Sequence, residues 1–342
     1  MYEDITIIKD LRILTEQFIP RRIIHRTGQM EALRDNLKPI IEGDIPRSSL
    51  VYGSPGTGKT CISQFVVDEL KAYTPVSTAY VNCWMYPSRF KILYNIIQSF
   101  GSMFLHRKGV PTDELIDILR GKLKNRKAVI ILDEADQLED DKILYDLLEM
   151  GGVCLILISN SEGIFYNSDS RIGSRMQGLD KIEFRAYSQT EIADILKDRA
   201  ELGLVSGSIE NMQLEKISES TGGDARKAIN ILKLAAELAE KLNSPKILDE
   251  HIEKVIPKTI SLETAKLIEN LNMHQKILYG IVKSAGEISA SGLHGKFQKV
   301  CAEKEVEIIV ERTARKYLEK LEVYGLISSS GEGRWTVYKA VG

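Results

Sequence analysis

GSPGTGKT, Gly53 to Thr60, decides how the rest of the chain is read. It fits G-x-x-x-x-G-K-[ST], with Gly53, Gly58, Lys59 and Thr60 in the fixed places. Glycines let consecutive backbone N–H groups turn inward around a polyphosphate. A helix that follows offers its positive dipole end to the same anion. Ser54, Pro55, Gly56, Thr57 and Cys61 complete the expected cradle for ATP or ADP. Lys59 is placed to reach the β- and γ-phosphates, and the Thr60 hydroxyl to ligate the Mg2+ that travels with them. Such a loop needs a strand before it and a helix behind it. The apolar run Ser49-Leu50-Val51-Tyr52 and the helical pattern from Lys59 to Tyr73 supply both.

Outward from the loop, strands are expected at Ser49–Gly53, Ser77–Asn82, Ala128–Asp133, Val153–Ser159 and Lys181–Phe184, with helical segments between them. Their apolar residues are consecutive, as in parallel strands covered on both faces, so an α/β fold with a sheet sandwiched by helices follows. A lead-in precedes it, extended near Phe18-Ile19-Pro20 and helical over Gly28–Glu42. After Tyr187 the period changes. Ser188–Ala200, which opens on a Ser188/Glu191 capping box, Ile209–Ser220, Asp224–Leu242 and Leu248–Val255 form a small helical domain that Pro257 closes. Beyond it come a helix over Leu262–Leu271, helices at Gln275–Lys283, Ser291–Glu303 and Ile308–Val323, and a hairpin turning at Gly331–Gly333. These suggest a winged helix-turn-helix. The expected domains are 1–187, 188–257 and 260–342.

Composition bounds the rest. A chain of 342 residues, 43% hydrophobic, 27% charged and of net charge −2, has two or three globular domains and no global attraction to nucleic acid. Cys61, Cys83, Cys154 and Cys301 lack metal-ligand spacing and read as thiols of a reducing compartment. The apolar runs are strand-sized and MYEDITIIKD is not a signal peptide, so a soluble cytoplasmic protein without membrane contact is expected.

VIILDEAD, Val129–Asp136, puts two carboxylates at a strand's C-terminal end, where a doubly wound sheet carries its active site. Asp133 suits Mg2+ and Glu134 the polarising of an attacking water. Asn160 ends the next strand, placed either for the γ-phosphate or its water, or simply in a turn. Arg171 and Arg175 stand four apart, candidates for an arginine given to a neighbouring subunit's ATP or ordinary surface cations. Arg226, in TGGDARKAI, opens a helix of the second domain. It either reaches back to the phosphates or pairs with Asp224.

In this order the motifs resemble the AAA+ ATPases. More closely, PRRIIHRTGQMEAL (Pro20–Leu33), YGSPGTGKT, YVNCW (Tyr80–Trp84), VIILDEAD, RIGSRM, GGDARKAINIL (Gly222–Leu232) and the C-terminal region are similar to archaeal initiators related to origin recognition complex subunit one and cell division control protein six. The resemblance covers almost the whole chain. It implies an AAA+ base, a helical lid and a winged-helix domain. It also implies PRRIIHR, with Ile23 and Ile24, against adenine, Asn160 as sensor 1 and Arg226 as sensor 2, and a finger at Arg171 or Arg175 with slight preference for Arg175. An inserted helical segment around Met85–Val110 would touch DNA together with the winged helix. The implied function is slow, Mg2+-dependent hydrolysis as a switch, binding of double-stranded origin DNA, assembly with other initiator subunits and loading of a replicative helicase.

The C-terminal region departs from a strongly basic wing, with nine Lys/Arg against seven Asp/Glu from Gly295 onward. Arg312, Arg315, Lys316 and Lys320 share one face of the expected recognition helix, and Arg334 and Lys339 lie on the wing. The alternative for that face is a solvated surface laced to Glu311, Glu319 and Glu322. Other functional readings are a nucleotide-sensing transcription regulator and a clamp-loader-like ATPase. Clamp-loader subunits, however, end in a helical collar.

Overall fold

Apolar residues on consecutive strand positions need cover on both faces of a sheet, and the fold supplies it. The computed structural model describes residues 6–101, 110–124, 126–163, 170–331 and 335–341, the side chains of 260–263 and 266 excepted. Thr27–Leu37 (α1) and Pro39–Glu42 (α2) lead to Ser49–Tyr52 (β1), Lys59–Tyr73 (α3) and Ser77–Asn82 (β2). Arg89–Ser99 (α4), Thr112–Leu123 (α5), Ala128–Asp133 (β3), Lys142–Leu148 (α6), Val153–Ser159 (β4), Ser170–Gln177 (α7) and Asp180–Glu183 (β5) follow. The sheet is parallel, in the order β2-β3-β4-β1-β5.

Period-two alternation sorts β1, β3 and β4 between two cores. Leu50, Ile130, Leu132, Leu155 and Leu157 face α4, α5, α6 and α7. Their neighbours Val51, Val129, Ile131, Ile156 and Ile158 face α1 and α3. The expected single helix over Gly28–Glu42 is two, because Pro39 brings no N–H and instead starts α2 as its first residue. The segment around Met85–Val110 is partly core: Ile92, Leu93, Ile96 and Ile97 of α4 are all buried against the sheet. Residues 102–109 of that segment lie outside the described residues.

Gln189–Gly203 (α8), Asn211–Glu219 (α9) and Ala225–Lys241 (α10) form the helical region, and Ser188 and Glu191 make the expected capping box. Part of the lead-in packs here and not on the sheet. The Ile7 and Ile8 amides donate to Glu240 Oε1 at 2.8 and 2.9 Å, and Arg199 donates to the carbonyls of Ile13 and Phe18, both at 3.0 Å. Leu14 is fully buried against Gly203.

Pro257 was expected to end a helix, and it does not. Asp249–Asn270 (α11) runs through it. The bond it forfeits is to the Glu253 carbonyl, and both residues are exposed, so that carbonyl is open to solvent. Two residues on, the Thr259 hydroxyl donates to the Val255 carbonyl at 3.1 Å. The chain divides into two compact units, Met1–Glu253 and Lys254–Gly342, within this helix.

The second unit contains Met273–Ala285 (α12), Glu287–Ser289 (β6), Ala290–Glu303 (α13), Glu311–Val323 (α14), Ile327–Ser330 (β7) and Val337–Ala340 (β8). Its sheet is antiparallel in the order β6-β8-β7. Leu278, Val282, Leu293, Phe297, Leu318 and Leu321 form its core. The strand β6, with one apolar residue, was not expected. The end of the expected turn, Glu332 and Gly333, and Arg334 lie outside the described residues. Among the described residues no helix is long and apolar enough to cross a membrane.

Candidate nucleotide site

The phosphate loop joins β1 to α3, and Gly58 caps α3 in a left-handed conformation with no side-chain hydrogen bond. The first N–H groups of a 15-residue helix are therefore left for an anion. Lys59, 8% exposed, donates to the carbonyls of Gly53 at 2.6 Å and Ser54 at 2.8 Å. Its ammonium also lies 3.4 Å from Asn160 Oδ1, which places Asn160 beside the loop.

At the end of β3, Asp133 Oδ2 accepts a hydrogen bond from Thr60 Oγ1 at 2.8 Å, while Oδ1 accepts the Glu134 amide at 2.9 Å. Glu134 turns out of the strand in a left-handed conformation, φ 53°. Burial, reinforced by the charges of Asp133 and Asp136, pushes its carboxyl above the ordinary glutamate value.

Burial, with the charge of Arg226 adding to it, lowers Lys59 to about 8. Phosphate pairs with the protonated ammonium, so binding raises that pKa. Affinity for ATP is therefore full below pH 8 and falls above it, by up to about tenfold per pH unit. Titration of a fluorescent ATP analogue from pH 7 to pH 9.5 measures the slope, and a flat profile would remove Lys59 from the phosphate contact.

The helical region sits directly on this loop. Asp224 caps α10 by accepting the amides of Arg226 at 2.9 Å and Lys227 at 3.2 Å, and the Ala225 amide donates to the Gly56 carbonyl at 3.1 Å. The Arg226 guanidinium lies 3.6 Å from the Asp224 carboxylate, and its charge bears on both Lys59 and Glu134. The pairing with Asp224 is thus present, and it leaves Arg226 within electrostatic range of Lys59 and Glu134.

A model of the AAA domain matches residues 45–163, and one of the Cdc6 AAA+ ATPase-type lid domain matches residues 193–256. ORC1-type DNA replication protein 1 of Halobacterium salinarum is 38% identical over 293 residues, 85% of this chain and 95% of the relative. The chain belongs to the ORC1-type DNA replication proteins. ORC1-type DNA replication protein 9 of the same organism is 35% identical, with 98% of this chain and 94% of the relative aligned. The Cdc6p structure from Pyrobaculum aerophilum superposes with a TM-score of 0.68 at 25% identity, covering 98% of this chain and 94% of that one. The Aeropyrum pernix ORC1 protein, solved in complex with DNA, reaches 0.77 at 23% identity, covering 97% and 93%. The AAA match implies an ATPase-type domain that binds nucleotide.

In this ORC1-type chain Ile23 packs partly buried on the core beside α3, and Ile24 is half-buried beside it. Ser54 and Pro55 are exposed on the loop, and Thr57 is buried. Arg26, in the same PRRIIHR stretch, escaped the sequence reading. It is 5% exposed, donates to the carbonyls of Thr57 at 3.2 Å and Arg185 at 2.6 Å, and stacks 3.8 Å from the centroid of the Tyr187 ring. It ties the phosphate loop to the segment that enters the lid. Tyr80 was also missed as a site residue: its hydroxyl donates to Asp133 Oδ2 at 2.8 Å.

Arg171 and Arg175 lie on α7 and line one depression with Tyr145, Ser170 and Ser174. Arg175 is ion-paired to Glu149 and its guanidinium lies 5.0 Å from the centroid of the Tyr145 ring. The preferred finger candidate is thus paired in its own chain by a partly exposed contact, which constrains it only weakly.

Proposed function

We propose that this protein is an ATP-switched replication initiator that binds duplex origin DNA and promotes loading of the replicative helicase in the cytoplasm. What carries the reading is the seat of the lid helix α10 on the phosphate loop, in a chain whose relatives are DNA replication proteins. A nucleotide held there is contacted from both sides, so its state sets the angle between base and lid.

The donor set suits Mg2+. Thr60 and Asp133 are hard oxygen donors whose oxygens lie 2.8 Å apart. Few protein ligands beside phosphate oxygens is the usual condition of that ion. Bound there, it would neutralise charge on the β- and γ-phosphates. Lys59 holds the same phosphates, Glu134 takes the proton of the attacking water and Asn160 orients it. Arg226 senses the γ-phosphate, and Arg171 or Arg175 serves the neighbouring initiator subunit's ATP. Hydrolysis in this scheme is slow, a switch between states.

The second unit is read as a winged helix with α14 as its recognition helix. Ala314, Leu318 and Leu321 bury one face of α14, and Arg312, Arg315, Lys316 and Lys320 occupy the opposite one. Lys339 is exposed on β8. The outward face of α4 is read as a second DNA contact. Arg315 pairs with Glu311 at 3.3 Å, but both side chains are about two-thirds exposed (67% and 69%), so the pair yields readily to a phosphate.

Footprinting across genomic DNA with ATP and with ADP tests the function. Protection confined to a replication origin supports it, and protection of promoters supports a transcription regulator instead. Arg315→Ala is expected to weaken origin binding and reduce the salt slope by about one unit. Identical slopes for variant and parent count against α14.

A further inference from the structure

Asp133 Oδ2 receives two hydroxyl donors at the same distance, Thr60 Oγ1 and the Tyr80 phenol, each at 2.8 Å. The third donor, the Glu134 amide, takes Oδ1. Three donors on a carboxylate that is 5% exposed fix both its torsion and its plane. Thr60 and the Glu134 amide belong to the motif positions already described. Tyr80 does not, and it comes from a different strand.

Its placement follows from the sheet. β2 is the edge strand, paired in parallel with β3 so that Asn82 lies opposite Asp133. Ala79 and Val81 turn into the core under α4 and α5, which directs Tyr80 and Asn82 to the other face. That face is the one α3 covers, and Thr60 is on the first turn of α3. Asn82, on the same face, accepts the Met85 amide on Oδ1 at 3.1 Å. The register of β2 on β3 thus aims the phenol at the carboxylate.

The geometry points to Tyr80 as a positioning residue for the divalent cation, acting through Asp133. When a metal draws on the Thr60 oxygen, Tyr80 keeps Asp133 in the orientation that receives the metal's water shell. Without the phenol the carboxylate swings, and the Mg2+-dependent part of nucleotide binding weakens. This inference rests on the reading of Thr60 and Asp133 as the metal site.

The test uses the full chain, parent and Tyr80→Phe, and a fluorescent ATP analogue titrated with excess Mg2+ and with EDTA. In the parent, Mg2+ tightens binding. In Tyr80→Phe the EDTA affinity is expected to match the parent, while the tightening by Mg2+ shrinks about tenfold, the usual scale for a hydrogen bond to a charged group. The Mg2+ concentration for half-maximal ATP hydrolysis rises by a similar factor, with the rate at saturating Mg2+ little changed. Equal loss in both titrations makes Tyr80 a general structural residue and overturns the inference. So does a Tyr80→Phe protein whose response to Mg2+ equals the parent's. A parent indifferent to Mg2+ overturns instead the assignment of Thr60 and Asp133, and Tyr80 falls with it.

Discussion

Glu134→Gln is expected to lower ATP turnover by about 10²–10⁴-fold, the range of a positioned general base. ATP affinity should stay near the parent's. Gln keeps the size and hydrogen-bonding reach of Glu but cannot accept the water's proton. The backbone at Glu134 is left-handed, φ 53° and ψ 48°, so the side chain leaves β3 at an angle no ordinary strand residue would take. Gln tolerates that conformation no worse than Glu, and the fold should be unaffected. Burial and the neighbouring carboxylates raise the Glu134 pKa in the nucleotide-free protein. Phosphate release and the nucleotide retained by the purified variant measure the effect, and unchanged turnover would remove Glu134 from the chemistry.

The layers of the first unit were legible because their physics is local. β3 and β4 are buried at every position, which forces unbroken apolar runs, and α3 begins where the loop pattern ends. Residues whose meaning depends on a distant partner were not legible. Arg26 reads as one cation of a basic stretch, yet its charge is buried on two backbone carbonyls and an aromatic ring. Tyr80 reads as a strand aromatic, and only the register of β2 on β3 brings its hydroxyl to Asp133. Pro257 reads as a stop, but one lost hydrogen bond at an exposed position does not end α11. Ile7 and Ile8 precede the sheet in sequence, and the acceptor that satisfies their amides is Glu240, more than two hundred residues on. Spacing carries motifs; it does not carry these pairings.

Gly56→Ala should destabilise the first unit and loosen the contact between the phosphate loop and α10. Gly56 has φ +74°, and a Cβ there would stand 1.8 Å from Asp224 Oδ1. Asp224 cannot retreat freely, because the same carboxylate caps α10 through the Arg226 and Lys227 amides. Three penalties coincide: a left-handed alanine, a lost cap, and a stretched bond from the Ala225 amide to the Gly56 carbonyl. Together they amount to about 3 kcal/mol, or roughly 6–12 °C in melting temperature for a unit of this size. Thermal unfolding of each variant beside the parent measures the loss. Nucleotide affinity falls with it, since the loop and the lid can no longer close on one another. Asp224→Ala alone removes the cap and should cost about 1 kcal/mol. In the double variant the clash has no partner, so adding Asp224→Ala to Gly56→Ala should cost little or even restore stability. It should not return to the parent, because the left-handed backbone strain comes from the Gly56→Ala change alone. Strict additivity of the two losses would mean that Asp224 does not rest on the phosphate loop, and the seat of the lid on the nucleotide site would have to be sought elsewhere.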